Sequence, residues 1–271
     1  MIELLGKYGL VPVVVLDRAD DALPLGEALD LGGLPIMEIT LRTEAGLESI
    51  RRIRQAKPEY LLGAGTVLTL DQCKASVEAG ASYIVSPGFN KEIVEWCLEN
   101  KVDVLPGCVT PTEITTALSY GLKVLKFFPA NVYGGITGIK ALYAAFQQTG
   151  LKFVPTGGVS LSNLQDFADK AFVHAVGGSW LTPKDLVNAG DFAEITRITK
   201  DSIAKLLGID PRDPGEEGAE GTVNSIDRAV FYLGKNDFKI GEGTYRFKKG
   251  RLVSARLRRK SDGFGVNLKQ K

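Results

Sequence analysis

The chain has 271 residues, 44% hydrophobic and 24% charged, with a formal net charge of +1. That length and composition suit one soluble barrel of roughly 200–250 residues with a small appendage. The near-zero charge gives the whole molecule no electrostatic reason to meet nucleic acid, and no apolar run approaches the roughly 18 residues of a membrane span, so neither partner is expected.

From Val11 to about Gly178, short β-rich runs alternate with amphipathic stretches. The predicted strands are Val11–Leu16, Ile36–Thr40, Leu61–Thr66, Tyr83–Ser86, Val102–Leu105, Val124–Phe128, Phe153–Thr156 and Val173–Val176. Between them lie helical patterns such as Glu44–Gln55, Asp71–Ala79, Lys91–Asn100, Pro111–Tyr120 and Ile139–Thr149. Strands alternating with helices indicate βαβ units in a parallel sheet. Eight of them suggest a closed (β/α)8 TIM barrel, and their apolar runs fit strands buried on both faces. Gly80 and Gly121 punctuate helix ends. Thr110-Pro111-Thr112-Glu113 reads as a helix start with a capping box. Phe192–Leu207 reads as the last barrel helix.

Composition then shifts. Residues 208–221 are polar and rich in Gly and Pro, and read as a linker. Beyond them a helix near Ser225–Leu233 precedes strands at Thr244–Phe247, Leu252–Leu257 and Gly265–Leu268, with a hairpin turn at Lys248–Arg251. The expected organisation is a barrel over 1–207, a linker, and a small α+β appendage over 222–271. Charge divides with it: residues 1–207 hold 19 Lys+Arg against 23 Asp+Glu, and residues 208–271 hold 14 against 9.

Cys73, Cys97 and Cys108 are widely spaced, which is neither a disulfide framework nor a zinc pattern. Met1–Leu5 lacks the basic start of a signal peptide, so the cytoplasm is expected. His174 is the only histidine, which excludes most zinc-hydrolase sites; within Phe172–Val176 it reads as a packed strand residue.

Lys126 is the sharpest feature, because it interrupts the apolar strand Val124-Leu125-Lys126-Phe127-Phe128. Lysine is rarely buried without a reason. Burial favours a neutral amine, the nucleophile that attacks a ketone to form an imine. The other reading is a strand-end lysine that reaches water or pairs with a carboxylate. Glu38 stands inside another apolar strand and could be that partner, as a proton shuttle or as a structural ion pair. Arg42, at the end of the same strand, could clamp a carboxylate or simply be solvated. Gly157-Gly158 and Gly178-Ser179 follow the last two strands, where barrels often bind phosphate through backbone N–H groups. Thr66 and Pro87 end strands at the same rim. Each of these could also belong to an ordinary turn.

Six motifs in order, among them Glu38-Ile-Thr-Leu-Arg42-Thr, Gly63-Ala-Gly-Thr66, Ser86-Pro87-Gly, Leu125-Lys126-Phe-Phe128-Pro, Pro155-Thr156-Gly157-Gly158 and Gly177-Gly178-Ser179-Trp, closely resemble the 2-keto-3-deoxy-6-phosphogluconate (KDPG) and 4-hydroxy-2-oxoglutarate (KHG) aldolases. The resemblance runs from about Val11 to Leu207. It implies a homotrimeric barrel acting on a small 2-keto acid with no metal and no cofactor beyond the covalent Schiff base. It implies Lys126 as Schiff-base lysine and Glu38 as general acid/base. Arg42 and Thr66 would hold the pyruvate carboxylate, and Thr156 would line the site. Phe128 and Pro87 would form apolar walls, and Gly157, Gly158, Gly178 and Ser179 would take the phosphate. The tail resembles one half of a glyoxalase-like (vicinal oxygen chelate) module. The competing readings are a phosphosugar epimerase or isomerase on a similar barrel, and a non-catalytic binding scaffold. The basic run Arg256–Lys260 reads first as a solvated strand end, with an anionic partner as the alternative.

Overall fold

A computed structural model describes residues 1–218, 220–248 and 251–271, without the side chains of residues 242–244. Its first part is α/β. The strands are β1 (Leu10–Val14), β2 (Ile36–Thr40), β3 (Leu61–Gly65), β4 (Tyr83–Ser86), β5 (Asp103–Pro106), β6 (Val124–Phe127), β7 (Lys152–Pro155) and β8 (Val176–Gly178), with helices between them. Seven lie within a residue or two of the runs expected from sequence. The eighth is displaced: Val173 makes only a single bridge to Phe153. Its carbonyl and that of His174 accept hydrogen bonds from Arg228 instead of from a neighbouring strand.

Regular pairing gives a six-stranded parallel sheet in the order β5-β4-β3-β2-β1-β8 and a two-stranded sheet β6-β7. Single parallel bridges join the two, Gly107 to Lys126 and Thr156 to Gly177. Every residue of β1, β2 and β3 is buried, as expected of parallel strands covered on both faces. The punctuation holds too. Thr110 and Glu113 form a reciprocal capping box with Pro111 in the first turn, and Gly80 and Gly121 take positive φ after their helices. A second capping box, Thr69 with Gln72, starts the helix Leu70–Glu78.

The chain after Leu207 differs from the expected αβββ. An additional strand, β9 (Glu220–Val223), precedes the helix Ile226–Lys235, and occupies the end of the segment read as linker. Then follow β10 (Phe238–Lys248), β11 (Arg251–Arg259) and β12 (Gly265–Gln270). The sheet order is β10-β11-β12-β9, with β9 parallel to β12. Glu220-Gly221-Thr222 has little strand signal of its own, and pairing with β12 supplies its order. Lys248 pairs with Arg251 as the hairpin requires, while Lys249 and Gly250 of the expected turn lie outside the described residues.

The tail packs on the N-terminal ends of the parallel strands. Ile226, Ala229 and Leu233 share one buried cluster with Leu5, Val11 and Leu206. The buried Arg228 guanidinium donates to four backbone carbonyls: Gly6 at 3.0 Å, Ala168 at 3.3 Å, Val173 at 3.2 Å and His174 at 2.7 Å. Tyr232 Oη donates to the Tyr8 carbonyl at 2.9 Å. Lys235 Nζ lies 4.3 Å from the centroid of the Tyr8 ring.

His174 sits in this seam, with Nε2 2.7 Å from the Ile2 carbonyl. Burial there holds its imidazole below the usual range, and the nearby Lys152 and Arg228 act the same way. The unfolded chain, with an ordinary histidine near 6.5, therefore binds the proton first as pH falls. Stability from this group is complete above about pH 6.5 and declines as pH drops through the lower folded value. Melting temperatures from pH 8 to 5 should fall more steeply for the native chain than for His174→Gln. Parallel curves would refute this.

Candidate active site

Glu38 and Lys126 lie on β2 and β6, four strands apart in chain order, yet their side chains meet. Lys126 Nζ donates to Glu38 Oε1 at 3.2 Å, with the two side chains only 6% and 5% exposed. Such a contact requires the inner faces of the two sheets to converge on one interior. Both charges interrupt strands whose flanking residues, Leu125, Phe127, Met37 and Ile39, are fully buried on the opposite face. At this burial an ion pair costs more in lost hydration than an apolar pair of the same size, so stability alone does not account for it.

Glycine makes room for the pair. A Cβ on Gly65 would sit 2.3 Å from Glu38 Oε1, closer than any real contact. A Cβ on Gly63 would strike the ring of Tyr83, whose hydroxyl donates to the Met37 carbonyl at 3.3 Å. Burial, with the negative charge of Glu38 adding to it, raises the Tyr83 phenol well above its ordinary value, so it stays neutral. Gly65→Ala should leave circular dichroism unchanged but displace the carboxylate. A shift of about 1 Å at a reacting group costs about 10²-fold; an unchanged kcat would show that the Glu38 position does not matter.

Around the pair, Phe128 sets its ring 5.3 Å from Lys126 Nζ. Arg42, exposed after β2, donates from Nε to Thr66 Oγ1 at 3.3 Å. Thr66 has φ 57°, a left-handed conformation unusual for a β-branched residue. Such strain, where the surrounding structure holds it, clusters at functional sites. Pro87 is half-buried after β4; its carbonyl stands where a Cβ on Gly107 would fall. Thr156, buried at the end of β7, donates to the Val154 carbonyl at 3.4 Å.

Gly157 and Gly158 follow with φ 90° and 73°. The loop is braced by Asn131, whose backbone N–H donates to the Gly157 carbonyl at 3.1 Å, and by Asn163, whose side-chain amide donates to the Gly158 carbonyl at 3.0 Å. Gly178 ends β8 beneath the Trp180 ring, and Ser179 is exposed at the start of a short 3-10 turn. The Thr156–Gly177 bridge makes these two glycine loops neighbours. Lys126, Glu38 and Phe128 thus form one group, Arg42 and Thr66 a second, and the glycine loops a third. No hydrogen bond joins the three groups among the described residues. In the sequence, Gly65 belongs to the Gly63–Thr66 motif and Tyr83 opens a predicted strand, neither with a role at the site, and the two asparagines have no place in it. Only Tyr83 carried a signal, a hydroxyl inside an apolar strand. Among the described residues no three His, Cys, Asp or Glu side chains converge as a metal site requires.

Comparison with known proteins places the chain in context. The family model described as "KDPG and KHG aldolase" matches residues 1–198. The 2-dehydro-3-deoxy-phosphogluconate aldolase of Treponema pallidum is 43% identical over 209 residues, covering 77% of this chain and 98% of that protein. The KHG/KDPG aldolase of Escherichia coli K12 is 39% identical over 199 residues, covering 73% and 92%. Among solved structures, KDPG aldolase from Legionella pneumophila, with pyruvate captured as a covalent carbinolamine intermediate, matches with a TM-score of 0.71 and 34% identity over 73% of this chain and 96% of that one. The Zymomonas mobilis enzyme with 3-phosphoglycerate matches at 0.69 and 35% identity, covering 75% and 95%.

Proposed function

Because the chain belongs to the KDPG and KHG aldolase family, whose members are carbon–carbon lyases, we propose that it cleaves 2-dehydro-3-deoxy-6-phosphogluconate to pyruvate and glyceraldehyde 3-phosphate through a Schiff base on Lys126. The observation that carries the reading is the buried contact of Lys126 Nζ with Glu38 Oε1 at 3.2 Å. Lys126 attacks the C2 ketone, and Glu38 relays the protons that turn the carbinolamine into the imine. The protonated imine then draws electrons from the C3–C4 bond. As that bond breaks, the C4 hydroxyl gives up its proton, the aldehyde leaves, and an enamine remains on Lys126. Protonation at C3 and hydrolysis release pyruvate and restore the amine. The same steps convert 4-hydroxy-2-oxoglutarate to pyruvate and glyoxylate.

In this reading Arg42 and Thr66 hold the substrate carboxylate, Thr156 lines the pocket, and Phe128 and Pro87 are apolar walls. Backbone N–H groups of Gly157, Gly158 and Gly178, with the Ser179 hydroxyl, receive the phosphate. The two sheets with their bridging pairs are read as one closed (β/α)8 barrel over residues 1–207, assembling as a homotrimer. The βαβββ order of the tail supports reading it as one half of a glyoxalase-like module. Borohydride reduction with pyruvate tests the core claim. Mass spectrometry should find one reduced pyruvate on the Lys126 peptide; folded protein without an adduct would overturn the Schiff-base reading.

A further inference from the structure

Glu38, Gly63 and Tyr83 stand side by side on β2, β3 and β4: Glu38 pairs with Gly63, and Gly63 pairs with Tyr83. Partners across parallel strands point to the same face, and Gly65, two residues on from Gly63, points there too. On that face β3 therefore has two successive places without a side chain. Neighbours fill both. The tip of the Tyr83 ring occupies the space of a Gly63 Cβ, and the Glu38 carboxylate occupies the space of a Gly65 Cβ. The Glu38 side chain thus leans along the strand direction by roughly one two-residue repeat, about 6–7 Å, and meets Lys126 Nζ there at 3.2 Å. Tyr83 is held at both ends. Its backbone lies on β4, and its hydroxyl reaches across β3 to donate to the Met37 carbonyl of β2 at 3.3 Å. The whole side chain is buried.

From this we infer that Tyr83 is the positioning residue for Glu38: by filling the space over Gly63 it denies the carboxylate the place level with its own backbone and leaves it the one beside Lys126. This rests on the aldolase reading, in which Glu38 moves protons at the Lys126 adduct. A glutamate side chain has several staggered rotamers of similar energy. With the space over Gly63 open, one of them lays the carboxylate over β3 and away from the amine. A proton relay works only within hydrogen-bond reach, about 2.6–3.2 Å or through one water, so the choice of rotamer decides whether Glu38 can act. The ring is what makes that choice. The hydroxyl bond to Met37 pins the ring but is made to backbone, not to Glu38 or Lys126. The negative charge of Glu38 acts on the Tyr83 phenol, as expected of two side chains packed this closely.

A double-mutant cycle in the full-length protein tests this, with steady-state cleavage of the phosphorylated 2-keto acid by the native chain, Tyr83→Leu, Glu38→Gln and the two combined. Tyr83→Leu should lower kcat about 10²-fold, the cost of a displacement of about 1 Å at a reacting group, while KM stays near native. In the Glu38→Gln chain the same change should alter kcat less than about twofold, because the group it positions is gone and coupled effects do not add. Tyr83→Phe keeps the ring and should stay within about fivefold of native, the scale of one neutral hydrogen bond. Loss of a buried ring also lowers stability, so kcat is referred to the folded fraction measured by circular dichroism. Equal losses from Tyr83→Leu with and without Glu38 would make Tyr83 merely structural and overturn the inference. So would native kcat in Tyr83→Leu, or a loss in Tyr83→Phe as large as in Tyr83→Leu. The aldolase reading fails separately, if the native chain gives no borohydride adduct with pyruvate. Tyr83→Leu keeps Lys126 and should still give that adduct; its absence from this variant alone would mean a collapsed pocket and overturn the inference too.

Discussion

Lys126→Met lowers kcat at least about 10⁴-fold, as expected when a nucleophile is removed, and abolishes borohydride trapping of pyruvate. Methionine keeps the unbranched stem and removes the Nζ that would carry the Schiff base. The change also leaves the Glu38 carboxylate, 4% exposed, without its cation. Breaking a buried pair in this way costs about 3–5 kcal/mol, so lower activity by itself could reflect lost stability. A second variant separates the two. Lys126→Met with Glu38→Gln removes the uncompensated charge and should recover most of the melting temperature while kcat stays at the floor. If the pair were structural only, activity would return with stability. The measurements are thermal melts and steady-state cleavage of the phosphorylated 2-keto acid.

The other large effect lies at the opposite ends of the parallel strands. Burial lowers Arg228 to about 10, still far above neutral pH, so it remains a cation. It is satisfied by backbone carbonyls, four of them from three different segments. Its planar fork is what lets one side chain reach all four; a lysine ammonium has three donors at a single point. Arg228→Met removes the donors and strands the carbonyls, which should cost about 3–5 kcal/mol and lower the melting temperature by about 10 °C. Arg228→Lys should recover less than half of that loss. The damage should fall on the seam between the tail and the α/β part, so limited proteolysis should cut first within residues 208–218. Because Lys126 lies at the other end of the strands, kcat of the remaining folded enzyme should stay within about twofold of native, as for distant, independent sites. Loss of kcat in proportion to proteolysis would show that the tail supports the catalytic end.

The primary structure determined the alternation of strands and helices, because parallel strands buried on both faces must be apolar runs and the helices between them must be amphipathic. It also marked Lys126 and Glu38, since a charge inside such a run stands out wherever the strand is later placed. What it left open was whether those two charges meet. They lie 88 residues apart, and only the curling of the sheet makes β2 and β6 face each other. Gly65 could not be recognised as clearance for a carboxylate until the carboxylate's position was known. β9 and the shift of β8 were equally out of reach. Both arise from pairing between distant segments, β9 with β12 and the Val173–His174 backbone with Arg228. Local composition decides which residues can form a strand; partners elsewhere in the chain decide which of them do.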